Sequence, residues 1–131
     1  MFDQDNGGLF LPKGFQSLVV HEGVGQSRHL AVNDNGDIYI KLRLDYGRNG
    51  NVALRDKNGD GKADIIERFG DYPNDGRFAT EMKINDGYLY YSSERVVYRQ
   101  KLNPKKLIPD SPVEVILTDP FPIRWHNAKS L

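Results

Sequence analysis

At 131 residues, with 18 Lys and Arg against 18 Asp and Glu, the chain has the size of one ordinary domain and no net charge to draw it to nucleic acid or an anionic membrane. Its lack of cysteine excludes disulfides and thiolate metal sites. No apolar run approaches the roughly 20 residues of a membrane span, and the first residues (MFDQDNGGLF) lack the basic and apolar regions of a secretory signal.

In chain order, Met1 to Gly14 reads as an irregular lead-in rich in Asn, Gly and Asp, with a Pro12-Lys13-Gly14 turn and a flexible bend at Gly7-Gly8. Phe15 to His21 (FQSLVVH) predicts a strand with His21 at its surface end, and Glu22 to Ser27 a loop punctuated by Gly. Arg28 to Leu42 (RHLAVNDNGDIYIKL) predicts a β-hairpin. Asn33-Asp34-Asn35-Gly36 supplies the positive φ angles of a tight turn, and the flanking period of two buries one face of each strand. Arg28 and His29 open the first strand, where a side chain points either to a channel or back between neighbouring sheets, and a hydrogen-bonded packing site is expected for His29 ahead of a channel role. Asn51 to Arg55 and Asp64 to Phe69 predict two more strands.

Between those two strands lies the sharpest chemical motif, Asp56 to Glu67 (DKNGDGKADIIE). Asp56, Asn58, Asp60, Asp64 and Glu67 stand at positions one, three, five, nine and twelve, with Gly61 at six and the Lys62 carbonyl at seven. This is calcium-loop spacing: Ca²⁺ takes six to eight oxygen ligands, and a Gly lets the chain bend sharply around it. Strands flank the loop, so any bound calcium is expected to be structural. The same residues also suit a polar hairpin turn without metal.

The hairpin then returns as Thr80 to Ser92 (TEMKINDGYLYYS), with Asn85-Asp86-Gly87 as its turn. Arg95 to Gln100 and Val113 to Leu117 predict two further strands, and Pro104, Pro109 and Pro112 bracket Lys105-Lys106-Leu107-Ile108 as an exposed connection. Leu30 and Met82 are 52 positions apart (82 − 30), and Leu131 stands where a third copy would begin. Repeats of about 50 residues made of short strands are the period of β-propeller blades, whose innermost strands line a common channel.

The expected fold is therefore all-β: a partial β-propeller of two four-stranded antiparallel blades, with an N-terminal strand and the start of a third blade. The divisions are 1–27 (lead-in and closing strand), 28–70 (first blade), 71–118 (second blade) and 119–131 (approach to a third blade). Since propellers close with about 4 to 8 blades, the chain is expected to be an incomplete domain. It then needs further blades or a self-association partner to cover its strand edges. Counting back five from Leu30, Met82 and Leu131 places Gly25, Arg77 and His126 in equivalent slots at one end of the channel, and a His there can serve as a general base.

The series GFQSLVV, SRHLAVNDNGDIYI, VALRDKNGDGKAD, DGYLYYSS and VYRQKL, followed by HNAKSL, resembles the N-terminal part of the pyrroloquinoline quinone (PQQ)-dependent sugar dehydrogenases, especially sorbosone dehydrogenase-like members, over nearly all of Gly14 to Leu131. The resemblance implies a six-bladed propeller, periplasmic or secreted, that oxidises a sugar hydroxyl by hydride transfer to PQQ, with a calcium ion polarising the cofactor. It implies His126 as the catalytic base and Arg77 near a cofactor-contacting slot, where this sequence departs from the family with Asp75-Gly76-Arg77-Phe78. Most cofactor contacts would fall in later blades, so the chain alone is expected to be inactive. Two alternatives stay open: a non-catalytic NHL-like propeller used for binding, and a propeller lactonase with a channel metal.

Overall fold

A computed structural model describes residues 2–43, 49–70, 81–93 and 95–118. The chain is all-β, apart from one 3₁₀ turn at Asn6–Gly8 among the described residues, and forms two four-stranded antiparallel sheets. Sheet one contains β1 (Ser27–Val32), β2 (Ile38–Leu42), β3 (Asn51–Arg55) and β4 (Ile65–Phe69), each paired with the next in sequence. Sheet two repeats that order with β5 (Met82–Asn85), β6 (Tyr88–Ser92), β7 (Val96–Lys101) and β8 (Glu114–Thr118).

The turn chemistry explains the hairpins. In the second, Asp86 and Gly87 have φ of 48° and 75°, and Asn85 pairs directly with Tyr88. Two positive φ angles in a two-residue loop match the right-handed twist of the strands. In the first, Gly36 has φ of 91° and donates to the Asn33 carbonyl, while the Asp37 amide donates to the Asn35 side chain. Asp37 then leaves the turn inward, 2% exposed, and takes a two-pronged hydrogen bond from Arg55 of β3 at 2.7 Å on each arm. The neighbouring carboxylate raises the affinity of Arg55 for its proton. This pair locks the hairpin onto the third strand.

The two sheets share one core. Tyr39, Ala53 and Phe69 of sheet one pack with Met82, Leu89 and Tyr91 of sheet two, and Phe69 meets Tyr39 and Tyr91 edge-on at 6.2 and 6.5 Å between ring centroids. The larger of these, such as Phe69, Met82 and Leu89, each contribute roughly 1.5–3 kcal/mol when removed from water. The other face of sheet one carries Ile40, Leu42, Val52 and Leu54, covered by Val20 and Val24. With both faces covered, β2 and β3 are buried almost throughout instead of alternating.

Three expectations are corrected. Phe15 to His21 is not a strand, because its amides are taken by side chains of the lead-in: Val19 N donates to Asp3 Oδ2 at 2.6 Å and Ser17 N to Asn6 Oδ1 at 3.2 Å. The segment nevertheless lies along sheet one, where Ala63 N donates to the Val20 carbonyl. Gly7 is also more than a bend, since a Cβ there would stand 2.6 Å from Val19. The connection between β7 and β8 is not wholly exposed either. Leu107 is 5% exposed within the shared core, and its carbonyl accepts from the Tyr39 hydroxyl at 2.8 Å.

Replacing Arg55 by Met keeps much of its volume but leaves the Asp37 carboxylate buried without its cation. The expected loss is about 3 kcal/mol, read from urea unfolding followed by tyrosine fluorescence.

Candidate functional site

The first strands of the two sheets, β1 and β5, lie side by side. At their leading ends, His29 Nδ1 stands 3.3 Å from Glu81 Oε1, joining sheet one to sheet two. His29 is 42% exposed and Glu81 20%. His29 also pairs across the hairpin with Lys41, which is almost fully buried and donates to the Gly50 carbonyl at 3.0 Å. His29 thus stands at the junction of the two sheets, half-exposed and within 3.3 Å of the Glu81 carboxylate. Glu81 was missed, although the signal was present: His29 and Glu81 are 52 positions apart (81 − 29), the interval of the repeat itself.

Two adjoining cavities open at this end of β1. One of about 350 Å³ is lined by Ser27, Arg28, His29, Leu30 and Ile40. The other, of about 560 Å³, is lined by Gly25, Gln26, Ser27, Arg28 and Arg43. The turn into β1 shapes them: Gly25 has φ of 114°, and Arg43 N donates to the Gln26 carbonyl at 2.7 Å. The Arg28 guanidinium in this lining is a planar, permanently charged donor of the kind that takes an anionic group. Of the three slots read from the repeat, Gly25 lies here, while Arg77 and His126 lie outside the described residues.

The Asp56–Asp64 loop is a separate structure joining β3 to β4. Asp56 accepts from the amides of Asn58, Gly59 and Gly61 at 3.1, 2.7 and 2.7 Å. Asn58 Oδ1 accepts from Asp60 N, and Asp60 Oδ1 accepts from Lys62 N. Asp64 accepts from the amides of Lys57 and Asn58 and from the Asn58 side chain. Gly61 is required twice over: its φ is 88°, and a Cβ would come within 2.3 Å of Leu18. Lys62 directs its side chain to Asp3 at 3.2 Å, tying the loop to the lead-in. Glu67 sits in β4 opposite Ala53, on the sheet face shared with Arg55.

The oxygens of Asp56, Asn58, Asp60 and Asp64 are chemically suited to calcium. Among the described residues, however, no group of three or more His, Asp or Glu side chains is gathered to hold a metal.

No family model, curated protein or solved structure matches the chain. Among the described residues no helix is long and apolar enough to cross a membrane.

The backbone amides hold the Asp56 carboxyl below its ordinary value, Gly61 foremost, and the Val19 amide followed by Lys62 does the same for Asp3. Between the folded and unfolded values the unfolded chain binds more protons, so acid favours unfolding. This contribution is present above the unfolded value of 3.8 and is lost as the pH falls through the lower folded values. Asp56→Asn should make the melting temperature fall less steeply than that of the parent chain below about pH 4 in a calorimetric pH series.

Proposed function

We propose that the two sheets are the first two blades of a β-propeller, and that the chain is the N-terminal part of a quinoprotein dehydrogenase that oxidises a sugar hydroxyl by hydride transfer to PQQ. The observation that carries the propeller reading is the His29–Glu81 contact between positions one repeat apart. When blades stack radially, their first strands run along one axis and equivalent residues of neighbouring blades meet. An ordinary sandwich of two sheets gives equivalent positions no reason to touch.

The quinone reading rests on the motif resemblance and is supported by the cationic lining beside Gly25. PQQ is a polycarboxylate, and Arg28 offers a planar, permanently charged donor for such groups. When bound, the quinone accepts the hydride and a calcium ion polarises it. His126 is assigned to take the proton of the substrate hydroxyl as the carbonyl forms, and Arg77 to contact the cofactor. The His126 assignment follows from the resemblance of HNAKSL, and that of Arg77 from its place near the family's cofactor-contacting slot, where Asp75-Gly76-Arg77-Phe78 departs from the family. The remaining cofactor contacts are assigned to later blades.

The test uses the longer protein that carries those blades, loaded with quinone and calcium, in a dye-reduction assay with an aldose. His126→Ala should lower kcat by about 10²–10⁴-fold. Arg28→Ala should instead weaken quinone binding, about tenfold for one charge-assisted contact. The 131-residue chain alone should reduce no dye. Unchanged turnover in His126→Ala removes that assignment, and a longer protein that binds no quinone favours the binding-module alternative.

The Asp56–Asp64 loop enters the proposal as a structural calcium clip between outer strands, with the Lys62 carbonyl among its donors and no part in the chemistry. Calcium binding to the folded chain should raise its melting temperature in proportion to the logarithm of calcium concentration, and Asp56→Ala should abolish the rise. Absence of both binding heat and melting shift in titration calorimetry and scanning calorimetry removes calcium from the loop.

A further inference from the structure

We propose that β8 is a self-association edge, on which a second copy of this chain adds its own β8 antiparallel across a two-fold axis at Ile116. The internal comparison is with β4, the outermost strand of the other sheet in the same topological place. An unpaired strand edge invites another strand unless charge, proline or cover prevents it. The β4 edge is guarded. Glu67 and Arg68 stand in mid-strand, and Arg68 Nη2 donates to the Val24 carbonyl at 2.8 Å, holding the N-terminal segment against that end.

The β8 edge lacks such guards. All five of its residues are exposed, and Val113, Val115, Ile116 and Leu117 are 50%, 60%, 47% and 59% exposed. Its one charge, Glu114, is neutralised within the sheet by Arg99 Nε at 2.7 Å. The β7–β8 register shifts at Val97 and Tyr98, leaving Ile116 without a registered partner on β7. Bulges of this kind bend an edge, and this one is the only feature of β8 that opposes pairing.

Charge and symmetry select the occupant. With the two-fold at Ile116, Glu114 faces Thr118 of the second copy, Val115 faces Leu117, and Ile116 faces itself. No like charges meet, and the four positions that follow Glu114 on each strand carry no charge. A parallel arrangement would set Glu114 against Glu114 at the start of the ladder. Since C₂ pairing requires a self-complementary patch, the antiparallel register meets the requirement that the parallel one fails. The edge lies at the far end of sheet two from β5, so the inference does not depend on the quinone reading. Five residues of added strand form a small interface, and the dimer should be of micromolar affinity or weaker.

The absence of native cysteine permits a direct test. Directly opposed residues in an antiparallel ladder have Cα atoms about 4.5–5.5 Å apart, within the span a disulfide bridges. Ile116→Cys in the full 131-residue chain should cross-link to a dimer under mild oxidation without denaturant. Glu114→Cys alone should not, whereas an equimolar mixture of Glu114→Cys and Thr118→Cys chains should cross-link to each other.

In sedimentation velocity over a concentration series, the parent chain should form a dimer and Ile116→Lys a monomer with an unchanged circular dichroism spectrum. Ile66→Lys on β4 and Leu30→Lys, an exposed position on β1, should leave the dimer intact. A parent chain that is monomeric throughout, a dimer that survives Ile116→Lys, or one lost in Leu30→Lys overturns the proposal. Preferential cross-linking of Glu114→Cys with itself overturns the antiparallel register.

Discussion

The two-sided covering of sheet one is the constraint on which the rest of the structure depends. Two middle strands as apolar as β2 and β3 cannot leave either face in water. Sheet two covers one face through the Tyr39, Phe69 and Tyr91 rings, and the N-terminal segment covers the other through Val20 and Val24. Enclosure on both sides then forces polar groups on these strands to find partners within the protein. Lys41 reaches the Gly50 carbonyl, and Asp37 takes Arg55. Burial, with the Asp37 charge second, also pushes the Tyr39 phenol up to about 12. The same packing brings β1 beside β5, so His29 meets Glu81.

Much of the architecture was legible because it is written in local chemistry. The Asn-Asp-Gly turns fix both hairpins, alternation fixes most strands within a residue or two, and the repeat interval fixes the correspondence between the sheets. The failures come from contacts between residues distant in sequence. Phe15 to His21 has a strand's composition, but Asp3 and Asn6 capture its amides before a ladder can. Leu107 lies in a proline-bracketed, lysine-flanked connection that reads as surface, yet it fills the space beneath Tyr39. Glu81 required only that the repeat interval be applied to His29 as well as to Leu30.

The candidate sites divide the molecule by task. The leading ends of the first strands carry chargeable groups, exposed in Arg28 and His29 and half-buried in Glu81, with Arg43 close by. The outer connections carry groups that mainly satisfy one another. In the Asp56–Asp64 loop nearly every side-chain oxygen is occupied by an amide. On the outward face of sheet two, Arg99 lies 4.5 Å over the Tyr88 ring and bonds Glu114. Reactive groups at one end of a scaffold and self-satisfied groups elsewhere are the arrangement expected when rigid sheets serve to position a site.

The bond from Tyr39 to the Leu107 carbonyl spans 68 residues of chain. Its consequence concerns the order of events on the ribosome. Sheet one and its N-terminal cover are built from contacts available once Phe69 has emerged, whereas the shared aromatic core must wait for Tyr91 and is sealed only after Leu107. At synthesis rates of about 5–20 residues per second, Tyr39 and Phe69 spend seconds facing solvent before their cover arrives. That interval is the one in which a nascent chain of this design most needs a chaperone.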